Sequence, residues 1–156
     1  WAGGFRPEIP EAWLHDARRS LPLRWFDPLA DLPNIEWYSL QQGNPASQLI
    51  QGLSQLPLRR DIESCHDFAE TAALITNLDL VISVDTSVAH LTAALDKPLC
   101  LLSRFDACWR WLINGQLSPW YPNVTVLRQH HPDDWDSVMP TLLTTINRLA
   151  NHTLDD

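Results

Sequence analysis

Apolar positions between residues 67 and 103 fall into two alternating rhythms. Phe68, Ala72, Ile75 and Leu78 recur at helical spacing behind Asp67-Phe68-Ala69-Glu70, where the Asp carboxylate can accept from an orphan N–H and Glu70 can reach back to the cap residue. The run Leu78-Asp79-Leu80-Val81-Ile82-Ser83-Val84 that follows is short, β-branched and apolar at nearly every position, the pattern of a strand covered on both faces. A second helical face, Val88, Leu91 and Leu95, opens after Asp85-Thr86-Ser87 and stops at Asp96-Lys97-Pro98, because proline cannot continue a helix. Residues 99–103 read as the next strand. Helix, strand, helix, strand with tight junctions predicts an α/β fold, a Rossmann-like parallel sheet with helices on both faces.

The flanks extend this pattern. Ile35-Glu36-Trp37-Tyr38-Ser39-Leu40 predicts a strand after an amphipathic stretch at 23–32, and Val124-Thr125-Val126-Leu127 predicts another. Asp134-Trp135-Asp136-Ser137 starts a last helix whose Val138, Leu142, Ile146 and Leu149 share a face. Residues 58–62 are ambiguous, since Arg59, Arg60 and Asp61 interrupt a weak edge strand and read as a solvated edge. Loops rich in proline and tryptophan are expected at 3–20 and 106–122, and loops of that length are usually functional or mobile. With no repeat or linker in view, residues 1–156 read as one domain.

Composition narrows the function classes. Eleven Lys and Arg, of which Lys97 is the sole lysine, stand against nineteen Asp and Glu for a formal charge of −8, so no nucleic acid is expected as partner. Apolar residues at 45% and charged residues at 19% suit a folded domain rather than an acidic tail. Cys65, Cys100 and Cys108 form an odd set without a CxxC pair, which fits a reduced, cytoplasmic protein. No apolar run approaches the ~18–20 residues of a bilayer span, so no membrane span is expected. Because the numbering opens on Trp1, the chain is expected to start inside a longer polypeptide.

In an open parallel sheet, ligands sit beyond the carboxyl ends of the strands. Four segments occupy such places: Trp1-Ala2-Gly3-Gly4, Ser39-Leu40-Gln41-Gln42-Gly43, Asp85-Thr86-Ser87-Val88-Ala89-His90, and Ser103-Arg104-Phe105 leading into a tryptophan loop. The third offers free N–H groups, two hydroxyls and the positive end of a helix dipole, which together can hold an anion. His90 can face a phosphate if its side of the helix points upward. Asp85, Thr86 and Ser87 are equally ordinary capping residues, a lone His on a helix is commonly structural, and Trp109, Trp111 and Trp120 can simply fill a loop. Asp67 and Glu70 are explained by the capping box alone. No metal site is expected, since adjacent His130 and His131 point apart and no Cys/His cluster has zinc spacing. A Walker loop, a GxGxxG and a GxSxG elbow are likewise missing from the sequence.

The long stretch from Asp67 through Val81-Ile82-Ser83-Val84-Asp85-Thr86-Ser87-Val88-Ala89-His90-Leu91 resembles the carboxyl-terminal domain of bacterial tetratricopeptide-repeat glycosyltransferases, which are similar to the heptosyltransferases of glycosyltransferase family nine. Trp1-Ala2-Gly3, Arg19-Ser20-Leu21-Pro22-Leu23, Tyr38-Ser39-Leu40-Gln41-Gln42-Gly43, Lys97-Pro98, Trp109-Arg110-Trp111-Leu112, Ser118-Pro119-Trp120-Tyr121-Pro122 and Asp134-Trp135 extend the resemblance in order along the chain. It implies the carboxyl-terminal, donor-binding half of a GT-B enzyme. Asp85, Thr86, Ser87, Val88 and His90 match the donor-diphosphate motif; Gln41 and Gly43 would lie near the nucleoside, Gly3 beside the diphosphate or sugar, and Trp109 in a loop closing over the donor. The implied partners are a nucleotide-diphospho-sugar, an upstream acceptor domain and tetratricopeptide repeats of the same chain. The donor is a substrate, and no cofactor or metal is implied. The catalytic residues are unknown, because the base in this architecture comes from the other domain.

Two departures shape the expectation. Ser87 stands where heptosyltransferases usually carry Gly, so heptose is not implied as the sugar. The apolar strand that precedes Trp-Ala-Gly in the family lies outside these residues, as does the acceptor domain, so a fragment inactive by itself is expected. The rival is a non-catalytic interaction or scaffold module, marked by a blocked pocket beside Thr86 and His90; a concave site lined by Gln41, Thr86, Ser87 and His90 would mark the enzyme. A non-hydrolysing epimerase would need acid and base groups that the sequence does not place.

Overall fold

The computed structural model describes residues 1–4, 6–106, 109–112 and 118–152, with Cys108 and part of the 106–122 loop outside them. In chain order the regular elements are α1 (Pro10–Arg19), β1 (Trp37–Tyr38), α2 (Ser47–Ile50), β2 (Leu58–Arg59), α3 (Phe68–Thr76), β3 (Val81–Val84), α4 (Ser87–Ala94), β4 (Leu99–Ser103), β5 (Val124–Arg128) and α5 (Met139–His152). Every strand pairing is parallel. β1 pairs with β2 through Trp37–Leu58 and Tyr38–Arg59, while β3, β4 and β5 form a second sheet in that order.

The apolar run at 99–103 explains the position of β4. All five of its residues are buried, and they alternate between two cores: Cys100 and Leu102 pack with Leu23, Leu29 and Leu142 on one face, Leu99 and Leu101 with Ile75, Ala89 and Trp111 on the other. Burying one such leucine fully stabilises by roughly 1.5–3 kcal/mol, so this strand anchors both layers. Burial also pushes the Cys100 thiol up to about 12, a positive Arg148 opposing it weakly.

The α/β expectation is met, with four local differences. The segment expected as a loop at 3–20 contains α1, whose one buried side chain is Asp16 while Trp13 and Leu14 are exposed. An apolar stripe therefore does not mark this helix; Pro at its start and Arg18 and Arg19 in its last turn do. The amphipathic stretch at 23–32 is a 3-10 helix, Leu23–Asp31, with Pro28 inside it. The strand expected at 35–40 shrinks to Trp37–Tyr38, because only its β2 side has a pairing partner. Finally, Phe68 lies off the buried face of α3, 60% exposed, and Glu70 reaches the backbone N–H of His66 (2.5 Å) rather than that of Asp67.

Candidate functional site

The ends of β3 and α4 meet at Asp85 and Thr86. β3 delivers them at its carboxyl end, and Thr86 (φ −136°, ψ 173°) is the extended N-cap residue from which α4 springs. Its hydroxyl does not cap the helix. Thr86 Oγ1 lies 3.2 Å from Ser83 Oγ, which itself donates to the Val84 carbonyl, so the first-turn N–H groups of α4 have no side-chain acceptor. Ser87, the first residue of α4, is exposed.

Asp85 turns the other way. Its carboxylate stands 3.6 Å from His90 Nε2, one α4 turn on, and its carbonyl accepts from the guanidinium of Arg19. That guanidinium is held by Asp16, which also binds Arg6 at 2.9 Å. Gly3 packs against this cluster so closely that a Cβ there would sit 2.6 Å from Arg19 Nε and Asp16 Oδ1. Gly3 therefore gives the Arg19–Asp16 pair room to brace the Asp85 turn. Arg19 belongs to the site and was not a candidate from sequence; Arg19 and Asp85 are 66 positions apart, and they meet only through the tertiary hydrogen bond of the guanidinium, held by the buried Asp16, to the Asp85 carbonyl.

His90 does not point into the core. Its ring stacks on Trp111 with centroids 4.9 Å apart at 22°, its Nδ1 lies 3.4 Å from the Tyr121 hydroxyl, and 32% of its side chain stays exposed. Trp111 beneath it is wholly buried, and its indole N–H has no partner among the described residues. A ring held by Trp111, Tyr121 and Asp85 has a fixed orientation.

The sequence candidates divide. Gly3, Gln41, Thr86, Ser87 and Val88 line one cleft of about 1360 Å³, and Asp85 and His90 join that group through Arg19 and each other. Gln41 Oε1 accepts from the Trp1 nitrogen (3.2 Å) and from Ala2 N–H (2.9 Å), so it ties the start of the chain to the end of β1. Gly43 is exposed, at φ 71°, where its role is a turn that other residues rarely adopt. Trp109 lies apart, 66% exposed, edge-on to Trp120 at 6.2 Å and beneath Arg110 at 4.8 Å. Of the tryptophans expected to fill the loop, only Trp111 does so. The concavity beside Thr86 is open, with His90 at its margin rather than in its lining.

Comparison with known proteins bears on the same segment. The family model of glycosyltransferase family 9 (heptosyltransferase) matches residues 47–144, more than half of the chain, and includes Asp85 to His90. Protein FlbA of Caulobacter vibrioides is 23% identical over 138 residues, which is 86% of this chain and 23% of FlbA. The chain thus spans about a quarter of the length of that relative. No solved structure matches it significantly. Among the described residues, no helix is long and apolar enough to cross a membrane.

Proposed function

Because the chain belongs to glycosyltransferase family 9 (heptosyltransferase), we propose that it is the donor-binding half of a GT-B glycosyltransferase and that its ligand is a nucleotide-diphospho-sugar. The observation that carries this reading is the start of α4. Its first-turn N–H groups have no side-chain cap, with the Thr86 and Ser87 hydroxyls beside them, at the carboxyl end of a parallel strand and on the wall of an open cleft. Such an end attracts an anion through both its N–H groups and its dipole. The Asp85 carboxylate, which would repel a diphosphate, is directed to His90, and the Arg19 guanidinium adds positive charge behind the turn.

In this reading an acceptor hydroxyl attacks the anomeric carbon, the bond from that carbon to the diphosphate oxygen breaks, and the α4 N–H groups stabilise the charge that grows on the leaving diphosphate. The hydroxyl proton goes to a base outside these residues. Gln41 and Gly3 border the donor, and Trp109 contacts it only if its loop closes. The acceptor domain and tetratricopeptide repeats belong to the longer protein of this proposal, as does a cytoplasmic setting.

Calorimetric titration with ADP, UDP, GDP and their common sugars tests the reading. Saturable binding of one nucleotide that disappears in the Thr86→Ala/His90→Ala double variant is expected. Silence of every ligand at millimolar concentration, in this chain and in a longer polypeptide that includes the upstream segment, would leave the scaffold reading in its place.

A further inference from the structure

Among the described residues between β4 and β5, the large apolar side chains of Phe105, Trp109, Leu112 and Trp120 face solvent. Two of them form a pair. The Trp109 and Trp120 rings stand 6.2 Å apart at 88°, a right-angled corner with the Arg110 guanidinium 4.8 Å from the Trp109 centroid, and the indoles are 66% and 60% exposed. Large apolar groups exposed together mark a binding surface.

The corner is held from below. Trp109–Trp111 is one turn of 3-10 helix, and with about three residues per turn Trp111 points into the core while Trp109 and Leu112 return to the outer side. Leu112 sits at φ 53°, a left-handed conformation that leucine rarely adopts. Arg128 at the end of β5 fixes it there, donating to the carbonyls of Trp111 (3.0 Å) and Leu112 (2.6 Å). On the other wall the buried Ser118 hydroxyl accepts from the Trp120 N–H (3.2 Å), and the next ring, Tyr121, packs on the core 5.9 Å from Trp111. Each exposed indole thus stands beside a ring anchored in the core, and a corner carried on two such anchors keeps its shape before any ligand arrives.

We propose that the Trp109–Trp120 corner is a saccharide subsite, in which one pyranose ring stacks its C–H face on one indole and sets its edge against the other. The C–H hydrogens of a sugar ring carry partial positive charge and the face of an indole is negative, so the two attract while the hydroxyl groups at the ring's rim stay in water. Size favours this ligand. Two indoles of about 150–250 Å² each expose about 200–300 Å² at the corner, against the roughly 800 Å² per partner of a stable protein interface. Position favours it too, because the anchors Trp111 and Tyr121 are the same rings that hold His90 beside Asp85, and the corner and the start of α4 share one support. Placing the ring on the acceptor of the transfer rests on the donor reading of the α4 start; the stacking itself does not.

Saturation-transfer NMR with methyl β-glucopyranoside, N-acetylglucosamine, cellobiose and chitobiose tests the stacking on the chain as it stands, with calorimetry for affinity. At least one sugar is expected to bind saturably at millimolar concentration and to receive most saturation at the axial C–H hydrogens of one ring face. Trp120→Ala should lower its affinity roughly tenfold or more, and Trp120→Phe, which keeps an aromatic face, should recover much of that loss. Trp13→Ala removes another exposed indole, on α1, and should change nothing. Silence of every sugar at tens of millimolar overturns the proposal, as does a Trp13→Ala loss equal to that of Trp120→Ala. Nucleotide titration of Trp120→Ala separates this subsite from the donor reading. Unchanged nucleotide affinity is expected; a loss of nucleotide with saccharide binding intact would move the corner into the donor site and overturn the subsite. Saccharide binding in a chain that takes no nucleotide keeps the subsite and removes only its assignment to an acceptor.

Discussion

Two helices in this molecule begin alike in sequence and differently in structure. α3 starts from Asp67, whose carboxylate accepts from the Glu70 N–H at 2.8 Å, while Glu70 returns a bond to His66 N–H and Thr71 Oγ1 bonds the Asp67 carbonyl. α4 starts from Thr86, a residue just as able to cap, whose hydroxyl is spent on Ser83 instead. The first end is closed by its own side chains. The second is left open at the mouth of a cleft, braced from behind by Arg19. Helix ends usually satisfy their N–H groups, so an end without a side-chain cap leaves those donors to water or to an external acceptor.

A carboxylate at the open end gives the largest separation of the two roles. Ser87→Asp puts a negative charge in the first turn of α4, where it should stabilise the helix by about 0.3–1 kcal/mol through the dipole. The same charge occupies the place of the diphosphate, so donor affinity should fall by a hundredfold or more. Thermal unfolding and calorimetry on one variant read both effects. A Ser87→Asp protein that binds the nucleotide normally would show that α4's amino end is not the phosphate site.

Next in size is Thr86→Ala. A hydroxyl donating to a charged group contributes about 1.5–3 kcal/mol, which corresponds to a loss of roughly tenfold to a hundredfold in donor affinity. His90→Ala should weaken binding less, since Asp85, Tyr121 and Trp111 hold its ring to the side of the cleft, but it uncovers Trp111 and should shift the tryptophan emission. If His90→Ala outweighs Thr86→Ala in calorimetry, His90 rather than the helix end is the main donor contact.

Much of this was readable beforehand where burial and period agree. β3, α4 and β4 lie where the alternation of Val81 to Ser103 puts them, because residues covered on both faces must be apolar and the breaks at Asp85 and Pro98 are sharp. α1 was illegible for the opposite reason: it buries a carboxylate, Asp16, and exposes Trp13 and Leu14, so periodicity carries no signal. The short β1 was overestimated because a strand pattern records what side chains can do and says nothing of whether both edges find partners. Asp85 to Ser87 were readable in sequence as either caps or ligands, and the structure shows that the Thr86 hydroxyl bonds Ser83 and does not cap α4. Arg19 was invisible as a site residue, since its link to Asp85 runs through tertiary structure.

The smallest effects decide whether the contrast between the two ends is real. Asp67→Ala removes a working cap and should cost about 1 kcal/mol in urea unfolding, with donor affinity unchanged because α3 starts on another part of the chain. Thr86→Ala removes a hydroxyl that does not cap α4 but bonds the Ser83 hydroxyl, whose own donation to the Val84 carbonyl survives, so its stability loss should stay at about 0.5 kcal/mol, the low end for an intramolecular hydrogen bond. The two variants should therefore cross, one losing stability and keeping ligand, the other keeping stability and losing ligand. A Thr86→Ala loss equal to that of Asp67→Ala would mean that the hydroxyl rotates onto the helix in solution. Both ends would then be ordinary caps, and the cleft would have to bind its donor without the open end that singles out α4.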